Sequence, residues 1–134
     1  MDKKELNLKE ETTKNHYLAN IKRIINLVKL HRKARNENNS DKMKYIEYKL
    51  SQMNCDSVCK ELHAKKYEEV IHSYLSQIKV INYIEKEGFI SPEFENVGLS
   101  YLEILRVCKV LVKKGILKRR SCTGIAYEFN IKKE

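Results

Sequence analysis

Apolar residues recur every three or four positions along most of this chain, and its only proline is Pro92. Proline and glycine are the strongest local breakers of regular backbone, and the 134 residues hold one of the first and four of the second. A chain with helical periodicity and so few breakers is constrained to fold mainly as helices. Hydrophobic residues make up 42% and charged residues 34% of it, a balance that supports a packed core of ordinary domain size.

From Asn15 to Arg35, Leu18, Ile21, Ile25, Val28 and either His31 or Arg32 form one stripe, widened by Ile24 and Leu27. Asn36 to Ser40 breaks the pattern as a turn, with Ser40 placed to cap a second helix carrying Met43, Ile46, Leu50 and Met53. Asn54, Asp56 and Ser57 mark an interruption before Val58, Leu62, Tyr67, Ile71 and Tyr74 resume it. Residues 1–75 therefore read as a region of two or three amphipathic helices, broad enough in apolar surface to pack on each other or on a second copy. Pairing into a homodimer through these N-terminal helices is the expectation, because the Met43, Ile46, Leu50 and Met53 stripe together with the broad apolar face from Leu18 to Leu30 would invite aggregation if left uncovered.

Residues 76–134 read as a second domain. Ser76 precedes a helix with Ile78, Ile81 and Tyr83 or Ile84 inward, ended by Gly88. Ser91-Pro92-Glu93 has the composition of a short helix start, stopped at Gly98. Ser100 and Glu103 form the Ser-x-x-Glu pattern of a capping box, which opens a helix over 101–114 ended by Gly115. Two strands follow, at Leu117–Arg120 and Ala126–Ile131, joined by a turn over Ser121–Gly124; Tyr127, Phe129 and Ile131 alternate as a half-buried strand requires.

The formal charge is +9, which favours polyanionic partners, nucleic acid first and an acidic membrane surface second. Between Arg106 and Arg120 stand Arg106, Lys109, Lys113, Lys114, Lys118, Arg119 and Arg120, with no acid among them. Cations at that density neutralise phosphates and release counterions. Arg106, Lys109 and Lys113 share one helical face. A solvated surface is the alternative reading of the same residues. A second basic block, Lys14, Lys22, Arg23, Lys29, Arg32, Lys33 and Arg35, reads equally as solvated helix or as a further backbone contact.

The order of helix, short helix, glycine turn, helix and hairpin, carried by the stretch from Gly98 to Ile131, resembles the winged helix-turn-helix superfamily, especially its MarR-like, ArsR-like and PadR-like regulators. The matching features are Gly98-Leu99-Ser100, the Leu111…Gly115-Ile116-Leu117 exit, the basic first strand and the aromatic-alternating second one. The resemblance reaches back to about Ser76. It implies a mainly α fold, N-terminal helices followed by a winged helix with a two-stranded wing. It also implies a cytoplasmic, nucleoid-associated regulator of transcription that binds double-stranded DNA. The helix over 101–114 would enter the major groove, and the segment near 118–124 would reach the backbone or minor groove. The DNA-contacting residues expected on this basis are Ser100, Tyr101, Arg106, Lys109, Lys113, Lys118, Arg119 and Arg120, with Tyr101 and Arg106 nearest the bases. Winged helices also bind proteins, so a scaffold or assembly subunit is the alternative. The helix after Ser100 is apolar enough to keep it open: a core absorbs Ile104, Cys108, Leu111 and Leu105, leaving Val107 and Val110 either to pack on the N-terminal helices or to meet a protein partner.

Catalysis and cofactors are not expected. The chain has no glycine-rich phosphate loop and no nucleophile elbow, and His16, His31, His63 and His72 are scattered. Cys55, Cys59 and His63 lie on one helical face, but the outer pair is ~12 Å apart along the axis, too far for one ion. Cys55, Cys59 and Cys108 are expected as packed thiols and no metal is expected, while Cys122 would be an exposed thiol in the turn. The first residues lack the apolar core of a secretory signal, and no run reaches the ~18 apolar residues of a membrane span.

Overall fold

The computed structural model describes the backbone of residues 3–93, 97–121 and 124–130, with side chains from residue 14 onward in those ranges. Among the described residues the chain is mainly helical with a small antiparallel sheet: α1 (Lys3–Asn36), α2 (Ser40–Gln52), α3 (Asp56–His63), α4 (Tyr67–Glu87), α5 (Tyr101–Lys113), β1 (Leu117–Arg119) and β2 (Tyr127–Phe129). It divides into two compact units. One is Ala19–Tyr74; the other joins the beginning of α1, up to Leu18, with the chain from Leu75 onward.

In the Ala19–Tyr74 unit the helices are joined by very short turns. Each of α1, α2 and α3 is followed by a residue with positive φ: Asn38 at 56°, Asn54 at 59° and Lys65 at 61°. The next N–H then folds back five residues, from Asn39 to Ala34 O (2.8 Å), Cys55 to Leu50 O (2.9 Å) and Lys66 to Glu61 O (3.0 Å). This Schellman geometry satisfies carbonyls that the helix end leaves over. Asparagine tolerates the left-handed conformation; at Lys65 it costs about 1 kcal/mol. The cap of α2 is Asn39, whose Oδ1 accepts from Lys42 N–H at 3.1 Å, and Ser40, expected to be the cap, is the first helical residue. Asparagine and serine cap about equally well, so composition alone did not separate neighbours.

The core of this unit takes Ile24, Leu27 and Val28 from α1, Ile46 and Leu50 from α2, Val58 and Leu62 from α3, and Tyr67, Val70 and Ile71 from α4. Ile46 is 2% exposed and Leu50 0%. Ile46 and Leu50, the middle of the stripe expected to pair two chains, are thus covered within one chain, while Met43 and Met53 at its ends are half-buried. His31, not Arg32, takes the inward position of α1.

In the other unit α4 runs unbroken through Ser76, which is buried within it rather than standing before a new helix. Val80, Ile81 and Ile84 of α4 pack with Ile104, Val107, Cys108 and Leu111 of α5 and with Leu117 and Tyr127 of the hairpin. Val107 therefore belongs to the core, while Val110 stays 37% exposed. The α5 start is the expected capping box: Ser100 Oγ accepts from Glu103 N–H at 3.2 Å, and the Glu103 carboxylate accepts from Ser100 N–H. Its end is a fourth Schellman turn, with Gly115 at φ 79° and Ile116 N–H bonded to Leu111 O at 2.9 Å. Here the left-handed residue is glycine, which adopts it without the Cβ penalty.

The strands pair with Leu117 opposite Phe129, Lys118 opposite Glu128 and Arg119 opposite Tyr127. On its other edge β2 meets Ile90 in a two-bond antiparallel bridge, Ile90 N–H to Tyr127 O and Tyr127 N–H to Ile90 O, both 2.9 Å. Both strands are shorter than expected; Ile131, Cys122 and Thr123 lie outside the described residues. The short helix expected from Ser91 is not formed at its start: Pro92 and Glu93 are in a turn, and 94–96 lie outside the described residues. Ser91 Oγ donates instead to Ile125 O at 3.1 Å, tying this segment to the hairpin.

Candidate nucleic-acid interface

The α5 helix is strongly two-faced. Ile104, Val107, Cys108 and Leu111 are buried, and burial pushes the Cys108 thiol up to about 12, leaving it an inert packed group. The opposite face carries Leu102, Arg106, Lys109 and Lys113, all exposed, at the four-three-four spacing that keeps residues on one side of a helix. Tyr101 and Val112 flank one side of this line and Val110 the other, 40%, 38% and 37% exposed. Ser100 is exposed too, but its hydroxyl is taken by the cap.

The hairpin continues the basic surface with a change that sequence order conceals. Lys118, Arg119 and Arg120 are all exposed. Strand pairing brings Glu128 across from Lys118, with 3.9 Å between Nζ and Oε1 and 4.0 Å from Arg120 Nε to Oε2. Arg120 also lies over the Phe89 ring, 4.3 Å from its centroid. The segment that is free of acids in sequence is thus answered by one acid in space. Arg119, opposite Tyr127, alternates to the other face of the strand.

The second basic block is partly used internally. Lys14 pairs with Glu85 and lies 5.0 Å from the Phe129 ring centre, Arg32 pairs with Glu68, and Arg35 sits 5.5 Å from the Tyr67 ring centre. Lys22, Arg23, Lys29 and Lys33 remain exposed. An open cleft of about 290 Å³ is lined by Ile84, Gly88, Glu128, Phe129 and that Lys14–Glu85 pair.

A polar network inside the Ala19–Tyr74 unit was not anticipated. His31 is fully buried, its Nδ1 hydrogen-bonded with the Tyr67 hydroxyl at 2.7 Å and its Nε2 3.4 Å from Glu47 Oε1. His63 Nε2 reaches the same oxygen from the surface at 2.8 Å. The Cys59 thiol donates to Glu47 O at 3.6 Å, and burial raises its pKa. Cys55 precedes α3 as its cap residue instead of sharing its face. Among the described residues no three His, Cys, Asp or Glu side chains are arranged to hold a metal ion. The sequence signal for the network was the choice between His31 and Arg32 on the inward stripe; Glu47, one position after Ile46, gave none.

Burial lowers the pKa of His31 below its ordinary 6.5, against the opposing hydrogen bond and charge of Glu47; Arg35 and His63 add to the lowering. Between the folded-state value and 6.5 the unfolded chain binds more protons than the folded one. The stabilisation is therefore full above pH 6.5 and is lost as pH falls through the folded-state pKa. The variant His31→Gln removes this titration. Its deficit in urea midpoint relative to the parent chain should narrow as pH is lowered across about pH 8 to 5; a deficit constant with pH would show that His31 does not carry the dependence.

No helix among the described residues is long and apolar enough to cross a membrane. No protein-family model matches the chain, and neither a curated protein nor a solved structure was found to match it.

Proposed function

We propose that this chain binds double-stranded DNA as a regulator of the winged-helix kind, acting inside the cell with α5 in the major groove. The observation that carries the reading is the exposed line of Arg106, Lys109 and Lys113 on the face of α5 turned away from its core. Helix α4, α5 and the β1–β2 hairpin follow one another in the order such a module uses, although the short helix that it places before α5 is not formed at its start among the described residues. Arg119, exposed on the hairpin on the strand face away from Glu128, adds a further cation that could meet a phosphate flanking the groove. The capping box and glycine turn hold both ends of α5 and so fix the helix that would be inserted.

The exposed apolar side chains Tyr101, Leu102, Val110 and Val112 favour a second reading, in which the same face docks on a protein. Salt separates the two. Binding of a fluorescent duplex, followed by anisotropy from low to moderate salt, should weaken linearly in log–log form with a slope of about −0.9 per phosphate neutralised. Absence of duplex binding at low salt would overturn the DNA reading and leave the protein-docking one.

A further inference from the structure

Leu102 is 65% exposed, more than the other exposed large hydrophobic side chains among the described residues, and it stands on the basic line rather than beside it. It is the second residue of α5, one turn before Arg106 on the same face. A leucine there contributes nothing to phosphate neutralisation, and a purely solvated face gains nothing from it. A ligand complementary to the whole face would be anionic along Arg106, Lys109 and Lys113 and present a small apolar group at the N-terminal turn. The major groove of duplex DNA offers such a group in the 5-methyl of thymine.

We propose that Leu102 reads a thymine methyl group in the major groove, beside the base pair that Arg106 meets; this rests on the DNA-binding reading above. Side chains one turn apart are about 5–6 Å from each other at Cβ. Bases along one strand rise ~3.4 Å per step, so the two side chains meet bases one or two steps apart. Tyr101, expected from the sequence to be nearest the bases, lies on the flank of this face, and Leu102 takes its place on the line itself.

The test uses the full chain and a random duplex pool, from which bound sequences are enriched at moderate salt. The enriched duplex is then remade with uracil replacing thymine at one position at a time. Uracil leaves charge and hydrogen-bonding edge unchanged and removes only the methyl. At one position the parent chain should bind the uracil duplex about fourfold more weakly, the value of one buried methyl group. Leu102→Ala, an exposed change checked for helicity by circular dichroism, should bind the two duplexes equally and keep the parent salt slope. Equal binding of thymine and uracil duplexes by the parent chain, or a pool with no enrichment, would overturn the assignment of Leu102 while leaving DNA binding in place. No duplex binding at low salt would overturn both.

Discussion

Lysine placed together at Ile46 and Leu50 should abolish the folded state of the Ala19–Tyr74 unit rather than divide a dimer into monomers. The two side chains are 2% and 0% exposed and pack in one core with Leu27, Val58, Leu62 and Tyr67. Truncating one buried leucine already costs about 2–5 kcal/mol. An ammonium left in the same place adds the penalty of an unpaired buried charge, which takes single changes beyond about 4 kcal/mol. A whole small domain is stable by about 5–15 kcal/mol, so two such changes exceed what this unit has to lose. Circular dichroism should show a fall in helicity, and amides of α2 and α3 should lose protection from hydrogen exchange. A chain that kept full helicity while its mass by light scattering fell by half would show instead that the stripe is an intermolecular seam.

The burial of Ile46 and Leu50 within one chain shows where the sequence was readable and where it was not. Periodicity placed helical structure along α1 to α5, though not the turn between α3 and α4 or the first turns of α1, because it reports a local property, the spacing of apolar residues around one axis. It did not tell which surface covers a stripe, since burial against α3 and burial against another chain leave the same pattern at Met43, Ile46, Leu50 and Met53. The helix start expected at Ser76 failed for a related reason: a polar residue on an inward line resembles a cap until the neighbours that bury it are known. The α5 boundaries were legible because Ser100, Glu103 and Gly115 act through bonds three to five residues long. Glu128 was not placed against Lys118 beforehand, although a turn centred near residue 123 implies that register. His31 was visible only as an alternative to Arg32, because its partners Glu47 and Tyr67 lie 16 and 36 residues away.

Replacing Arg106, Lys109 and Lys113 together by alanine should cost DNA affinity on the order of 10²-fold or more near 0.1 M salt and make the salt dependence shallower by about 2.7 log units per log unit, 0.9 for each phosphate no longer neutralised. All three side chains are exposed, and alanine is the strongest helix former, so α5 should stay folded around its buried face. Net charge alone would give a similar loss wherever three cations were removed. The matched control is therefore Lys22, Lys29 and Lys33 to alanine on α1, three exposed positions carrying the same total charge. Long-range attraction is screened over ~8–10 Å at physiological ionic strength, so charges that do not touch the duplex contribute little to the slope. The α5 variant should lose most of the binding and the α1 variant should keep a slope within about one unit of the parent, since a single phosphate accounts for about 0.9. Equal losses in the two variants would mean that the positive charge acts as a diffuse cloud and that α5 is not the surface that meets the duplex.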